Sequence, residues 1–130
     1  MSYESWKQEF LTGTDLEKWI GLRPENLEKH GLKFKGKVVI ENGKSVFRKV
    51  VIENGKSVFR VDGSTCQLCR DNFRRCYNCP LYQSLGEKYC DDDDDSPYVI
   101  FIKTGNPEPM IGALEKIKDK LPKRTEEANP

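Results

Sequence analysis

Residues Lys37–Arg48 read KVVIENGKSVFR, and residues Lys49–Arg60 read KVVIENGKSVFR again. Each copy spells a β-hairpin: a β-branched Val-Val-Ile run, an Asn-Gly pair suited to the positive φ angles of a type I′ turn, and a Ser-Val-Phe run for the return strand. Asn42-Gly43 and Asn54-Gly55 are the expected turns. No loop separates the copies, so the sequence predicts a three-stranded meander over roughly residues 34–41, 44–53 and 56–62, with one copy bulged out as the alternative. A one-residue slip would exchange buried and exposed faces, so an insertion of twelve residues, an even number, is easier to accommodate than an odd one. Divergent repeats keep a pattern and lose identity. An identical tandem copy therefore points to a recent duplication, or to an artefact of cloning or sequencing, and not to a solenoid.

Short helices flank the hairpins. Upstream, Asp15–Ile20 carries Leu16, Trp19 and Ile20 on one side, and Pro24–His30 begins with proline and stops at Gly31. His30 is read as a helix-end residue, where a partly charged imidazole favours the negative end of the dipole. Downstream, Pro107–Leu121 spaces Met110, Ile111, Leu114, Ile117 and Leu121 for a buried helical stripe, with Asn106 as its cap and Pro122 as its stop. The apolar run Tyr98–Ile102 reads as an additional strand. The fold class is therefore α+β: a small antiparallel meander with short helices and a Cys-rich loop region, forming one domain over residues 1–122 with a disordered polar tail over 123–130.

The chain has 130 residues, 36% hydrophobic and 33% charged, a composition in which a small core needs a staple or a metal. The net charge of +1 argues against a wholly basic nucleic-acid coat, but it averages two unlike regions. Residues 31–60 hold eight Lys/Arg against two acids, and residues 91–130 hold ten acids against six bases. No apolar run approaches the ~20 residues of a membrane span, and MSYESWKQEF lacks a signal pattern, so the expected setting is cytoplasmic, without a membrane partner.

The five cysteines form the chemical signal. Cys66-Gln-Leu-Cys69 and Cys76-Tyr-Asn-Cys79-Pro are separated by six residues, and Cys90 follows eleven positions after Cys79. In a reducing compartment, paired Cys-x-x-Cys spacing is a metal pattern rather than a disulfide pattern. Zinc favours four tetrahedral thiolates, and a two-residue gap lets both sulfurs of one knuckle reach one ion while backbone amides soften their charge. Any four of Cys66, Cys69, Cys76, Cys79 and Cys90 satisfy that demand. The six-residue spacing is shorter than in common zinc ribbons, so both pairs fold back sharply or one pair shares its duty with Cys90. Cys79-Pro80 also suits an iron–sulfur ligand, though the compact ladder of cysteines before it is missing. A disulfide or redox pair is the third reading, without the parallel α/β setting such pairs use.

The segment WIGLRPENLEKHGL over residues 19–32, followed by Cys-x-x-Cys, Cys-x-x-Cys-Pro-Leu, a single Cys, Ser-Pro-Tyr and Pro-Glu-Pro-Met, resembles a group of short uncharacterised bacterial and phage proteins. The resemblance spans residues 18–32 and 62–114 and includes all five cysteines, which implies that Cys90 belongs to the motif. The doubled hairpin and the run Asp91–Asp95 depart from it. It implies no activity.

Arg70, Arg74 and Arg75 lie within the cysteine segment, and with Lys33, Lys35, Lys37, Lys44, Lys49 and Lys56 they form a candidate phosphate-binding set, with Phe73 or Tyr77 for base stacking. The plainer account is a solvated strand face. Asp91–Asp95 lacks the spacing of a calcium loop and reads as a solvated run. The chain has no nucleophile elbow, no phosphate-cradling glycine loop and no His beside the cysteines, and Glu25, Glu28 and His30 have ordinary surface spacing, so no enzyme is expected. The expectation is a small protein with structural zinc that acts as a protein-interaction module through an unnamed partner and in an unspecified oligomeric state. Nucleic-acid binding through Lys35, Lys37, Arg70, Arg74 and Arg75 is the alternative, and thiol redox chemistry is a weaker one.

Overall fold

The repeat folds as the meander its sequence predicts, with strands β1 (Lys33–Glu41), β2 (Lys44–Glu53) and β3 (Lys56–Val61) in the order β1-β2-β3, both pairs antiparallel. The structure, a computed structural model, describes residues 2–61, 65–72, 79–88, 90 and 95–124, without the side chains of Lys37, Val39, Cys69 and Arg70. Both Asn-Gly pairs have positive φ, 51° and 76° at Asn42-Gly43 and 52° and 80° at Asn54-Gly55, as a type I′ turn requires.

Register decides what each copy does. Directly opposed residues share a face. Phe34 opposes Val51, Gly36 opposes Lys49 and Val38 opposes Phe47, which together with Ile40 define the face toward the helices; Lys33/Ile52, Lys35/Val50 and Glu41/Lys44 lie on the other. Crossing a two-residue turn, a twelve-residue shift moves a residue to the opposite face. Val38 and Ile40 therefore lie on the helical side but beyond its cover, 60% and 69% exposed, whereas their copies Val50 and Ile52 lie on the far side and are 1% and 8% exposed. The even length of the insertion thus does not by itself preserve the buried face. A bulge does: Val51 opposes Phe59 and Ile52 opposes Ser57, so Val58 is an extra residue, and Phe59 and Val61 return to the helical side.

The far face is basic and coiled. Glu41, at the hairpin end, binds Arg48 at 2.6 Å and Arg60 at 3.5 Å. Arg60 opposes Val50, six residues back along β2 from the partner of Glu41, or ~20 Å along a flat strand. A flat ribbon would not let these side chains meet, so the hairpin curls toward this face.

The described residues also form seven short α-helices, α1 (Tyr3–Phe10), α2 (Asp15–Gly21), α3 (Pro24–Lys29), α4 (Gln67–Asp71), α5 (Pro80–Ser84), α6 (Pro97–Thr104) and α7 (Glu108–Glu115), with a 3₁₀ turn at Lys118–Lys120. Helix α1 starts from a reciprocal Ser2/Ser5 capping box. The segment 98–102, expected as a strand, is helical instead. Pro97 at its first position fixes a helical φ, and Gly105 ends it at φ 78°, so the caps outweigh the β-branched composition. The stripe of α7 is buried as expected, but the α-helix closes at Glu115 and Ile117 reaches the core from the following turn. The N-cap is Pro107 rather than Asn106, whose Oδ1 nevertheless accepts the Glu108 N–H at 3.1 Å from one residue earlier.

These helices cover one face of the sheet. Trp6 meets Phe59 edge-on at 5.4 Å, and Phe101 is held between Trp19 and Phe34, each at 4.9 Å. The Trp6 indole N–H donates to Gly21 O at 2.8 Å, and the Tyr98 hydroxyl donates to Val61 O at 2.6 Å, so both rings bury their apolar bodies with the polar atom satisfied. His30 ends α3 as expected but is buried, with Nδ1 2.7 Å from Ser5 Oγ and Nε2 2.8 Å from Glu9 Oε1, which ties α3 to α1 rather than forming a set with Glu25 and Glu28. Of the segment expected as a tail, Lys123 bridges to Thr14 and the Arg124 N–H donates to Gly13 O; residues 125–130 lie outside the described residues. Among the described residues no helix is long and apolar enough to cross a membrane.

Candidate metal centre

Three of the five cysteines have described side chains, and all three are half-buried against the same core. Cys66 immediately precedes α4, whose backbone carries Cys69. Cys79 is the N-cap of α5, with Pro80 at the first helical position. The Cys90 carbonyl accepts the Tyr98 N–H at 2.9 Å, which ties that cysteine to the start of α6. Cys76 lies outside the described residues. Among the described residues, no three His, Cys, Asp or Glu side chains converge on one point.

Cys66 and Cys79 belong to different Cys-x-x-Cys pairs. Burial pushes the Cys79 thiol up, the backbone N–H groups of Leu81 and Tyr82 at the start of α5 partly offset this, and the charges of Cys66 and Asp15 add to the rise. A thiol raised by burial and like charge is a poor nucleophile at neutral pH, but a cation placed among such sulfurs removes the repulsion and ionises them.

Around Cys66 lies a buried ionic cluster that sequence reading missed. Asp15 accepts from Gln67 N and Leu68 N, each at 3.0 Å, capping α4, and the Cys66 thiol points at its Oδ2 at 3.6 Å. Lys18 donates to Thr65 O at 3.1 Å, and Arg124 Nη1 donates to both Asp15 Oδ1, at 2.7 Å, and Thr65 O. Burial works against ionising Asp15, but Lys18, the Gln67 N–H, Arg124 and the Leu68 N–H outweigh it and hold the carboxyl below its usual range. A carboxylate at the start of α2 is an ordinary helix-start signal; nothing local announces a partner 109 residues away.

The residues proposed for phosphate contacts are only partly placed. Lys35 is exposed on the far face of the sheet, and Lys37 shares its strand, opposite Arg48. Arg70 lies on α4, and Arg74 and Arg75, like Asp91–Asp94, lie outside the described residues. No protein-family model, curated protein or solved structure matches the chain.

Proposed function

We propose that this is a small zinc-binding protein in which four of Cys66, Cys69, Cys76, Cys79 and Cys90 hold one structural ion, and that its role is protein interaction. The observation that carries the reading is that Cys66 and Cys79, one from each Cys-x-x-Cys pair, and Cys90 are all half-buried against one core. A four-sulfur shell leaves no position for substrate, which suits a folding role. Such a site contributes on the order of 10 kcal/mol of apparent binding free energy, more than a core of this size supplies alone, so metal and fold are coupled. The interaction role is supported by the apolar strip Val38, Ile40 and Phe47, which stands exposed on the distal hairpin.

The test is the native mass of protein purified without added metal, set against its denatured mass. One zinc that is lost on denaturation is the expected result; a deficit of two or four hydrogens without metal would replace the reading with disulfides. A second reading, nucleic-acid binding, draws on Lys33, Lys35, Lys44, Arg48 and Arg60 sharing the far face of the sheet. Retention on DNA or RNA at low salt that falls steeply as salt rises supports it, and no retention removes it.

A further inference from the structure

We propose that Ser5, His30 and Glu9 form a nucleophilic relay in which Ser5 attacks the carbonyl of small activated esters, His30 is general base and then acid, and Glu9 is a positioning residue. This activity is independent of the zinc reading and shares no residue with it. The partners of His30 lie 25 and 21 positions away, so no local motif announces them.

Ser5 Oγ lies 2.7 Å from His30 Nδ1, and His30 Nε2 lies 2.8 Å from Glu9 Oε1, both within hydrogen-bond range. The contacts of Glu9 with His30 and Lys29 hold its carboxyl below the ordinary range, so at neutral pH it only accepts. A neutral imidazole facing that carboxylate carries its proton on Nε2 and turns the Nδ1 lone pair toward Ser5. Oγ has one proton to give, and Nδ1 is its nearer acceptor, with Ser2 O at 2.9 Å. The ring is held in this orientation: its side chain is 9% exposed, and Phe10 meets it edge-on at 6.2 Å. A tie between α1 and α3 needs only one hydrogen bond. A serine, an imidazole and a carboxylate in series is the order that activates a nucleophile.

Ser5 is half-buried in the first turn of α1, an eight-residue helix whose positive end favours an alkoxide and the oxyanion formed beside it. In the first half-reaction the Oγ–C bond forms and the Oγ proton passes to Nδ1. The ester C–O bond then breaks, and the leaving alcohol takes that proton. Water next attacks the acyl carbon and gives a proton to Nδ1, which returns it to Oγ as the carboxylic acid departs. Ester and water become acid and alcohol, with no change of oxidation state. Glu9 stabilises the imidazolium that forms in each half. Half-buried Ser5 and exposed Glu9 open the relay to solvent, which suits small esters with good leaving groups rather than amides.

The experiment treats the full chain with an alkyl fluorophosphonate, places the adduct by peptide mass spectrometry, and follows p-nitrophenyl acetate hydrolysis alongside. Wild type is expected to carry one adduct, on Ser5, and to release p-nitrophenol at a rate that Ser5→Ala abolishes. His30→Gln is expected to slow labelling by about 100-fold or more, the usual share of a general base. Glu9→Gln, at an exposed site, is expected to lower kcat by at least about 10-fold with KM unchanged, and Glu9→Asp to recover part of that loss. A carboxylate that only ties two helices would leave the labelling rate unchanged in a variant whose circular dichroism matches wild type. If His30→Gln does not fold, the Glu9 pair carries the test. The absence of a Ser5 adduct in wild type, or labelling that Glu9→Gln does not slow, overturns the inference and leaves the zinc reading in place.

Discussion

Ile40 and Ile52 sit in identical twelve-residue sentences, and the fold gives them opposite fates, so Ile40→Ala and Ile52→Ala form a controlled pair. Local sequence, β-propensity and unfolded-chain effects cancel in the difference between them. Ile52 is 8% exposed and Ile40 69%. Burying an isoleucine fully is worth about 1.5–3 kcal/mol, so the roughly three fifths of a side chain by which the two differ accounts for about 1–2 kcal/mol. The cavity left at Ile52 adds to this, toward the lower part of the ~2–5 kcal/mol range for buried Ile→Ala changes. Ile52→Ala is expected to cost about 2–3 kcal/mol and Ile40→Ala less than about 1 kcal/mol. Equilibrium urea unfolding of metal-loaded protein, with m near 1–3 kcal/mol/M, separates the two midpoints by about 1 M. Equal costs would refute the register described here. A reversed order would show that the first copy, not the second, packs into the body of the protein.

Three further outcomes follow from the same geometry. Asp15→Asn removes the anion between Lys18 and Arg124 and is expected to cost about 3–5 kcal/mol, as breaking a buried pair does, read by chemical denaturation. Because the folded protein holds Asp15 below its ordinary range, its stabilisation is complete above the unfolded value near pH ~4 and is lost as pH falls through the lower folded value; melting curves between pH 6 and 2 should lose this part of their slope in Asp15→Asn. Chelation of zinc is expected to reduce helical circular dichroism cooperatively, and an unchanged spectrum after verified metal removal would count against the folding role. Gly105→Ala, at a helix end with φ 78°, is expected to cost on the order of 1 kcal/mol, whereas Gly112→Ala, where an added methyl meets open space, should be neutral or slightly stabilising by thermal melting.

The hairpins were legible because their signals are local. Asn-Gly at positive φ and the runs around it fix strand ends within one or two residues, and proline and glycine likewise mark α3. The same punctuation was present at Ser96-Pro97 and Gly105, but the apolar run Tyr98–Ile102, with three β-branched residues, read as a strand there, since a short apolar run carries no period of its own. The cysteine spacing, on which the proposed metal set rests, is likewise a local pattern. Its surroundings were not: Asp15 meets Cys66 across 51 positions and Arg124 across 109, and no local pattern encodes such pairings.

By itself, then, the sequence determined the turns, the meander, the apolar stripe of α7 and the five candidate thiols, all of which depend on residues a few positions apart. Which of two identical copies is buried was left to the tertiary structure. A turn reverses the strand and so exchanges its faces, and only the bulge at Val51/Ile52 and the position of the helical layer decide that Phe59 packs on Trp6 while Phe47 stands in water. The charge cluster beside Cys66 was decided at the same level, because burial is what turns a surface aspartate, a lysine and an arginine into one ionic unit.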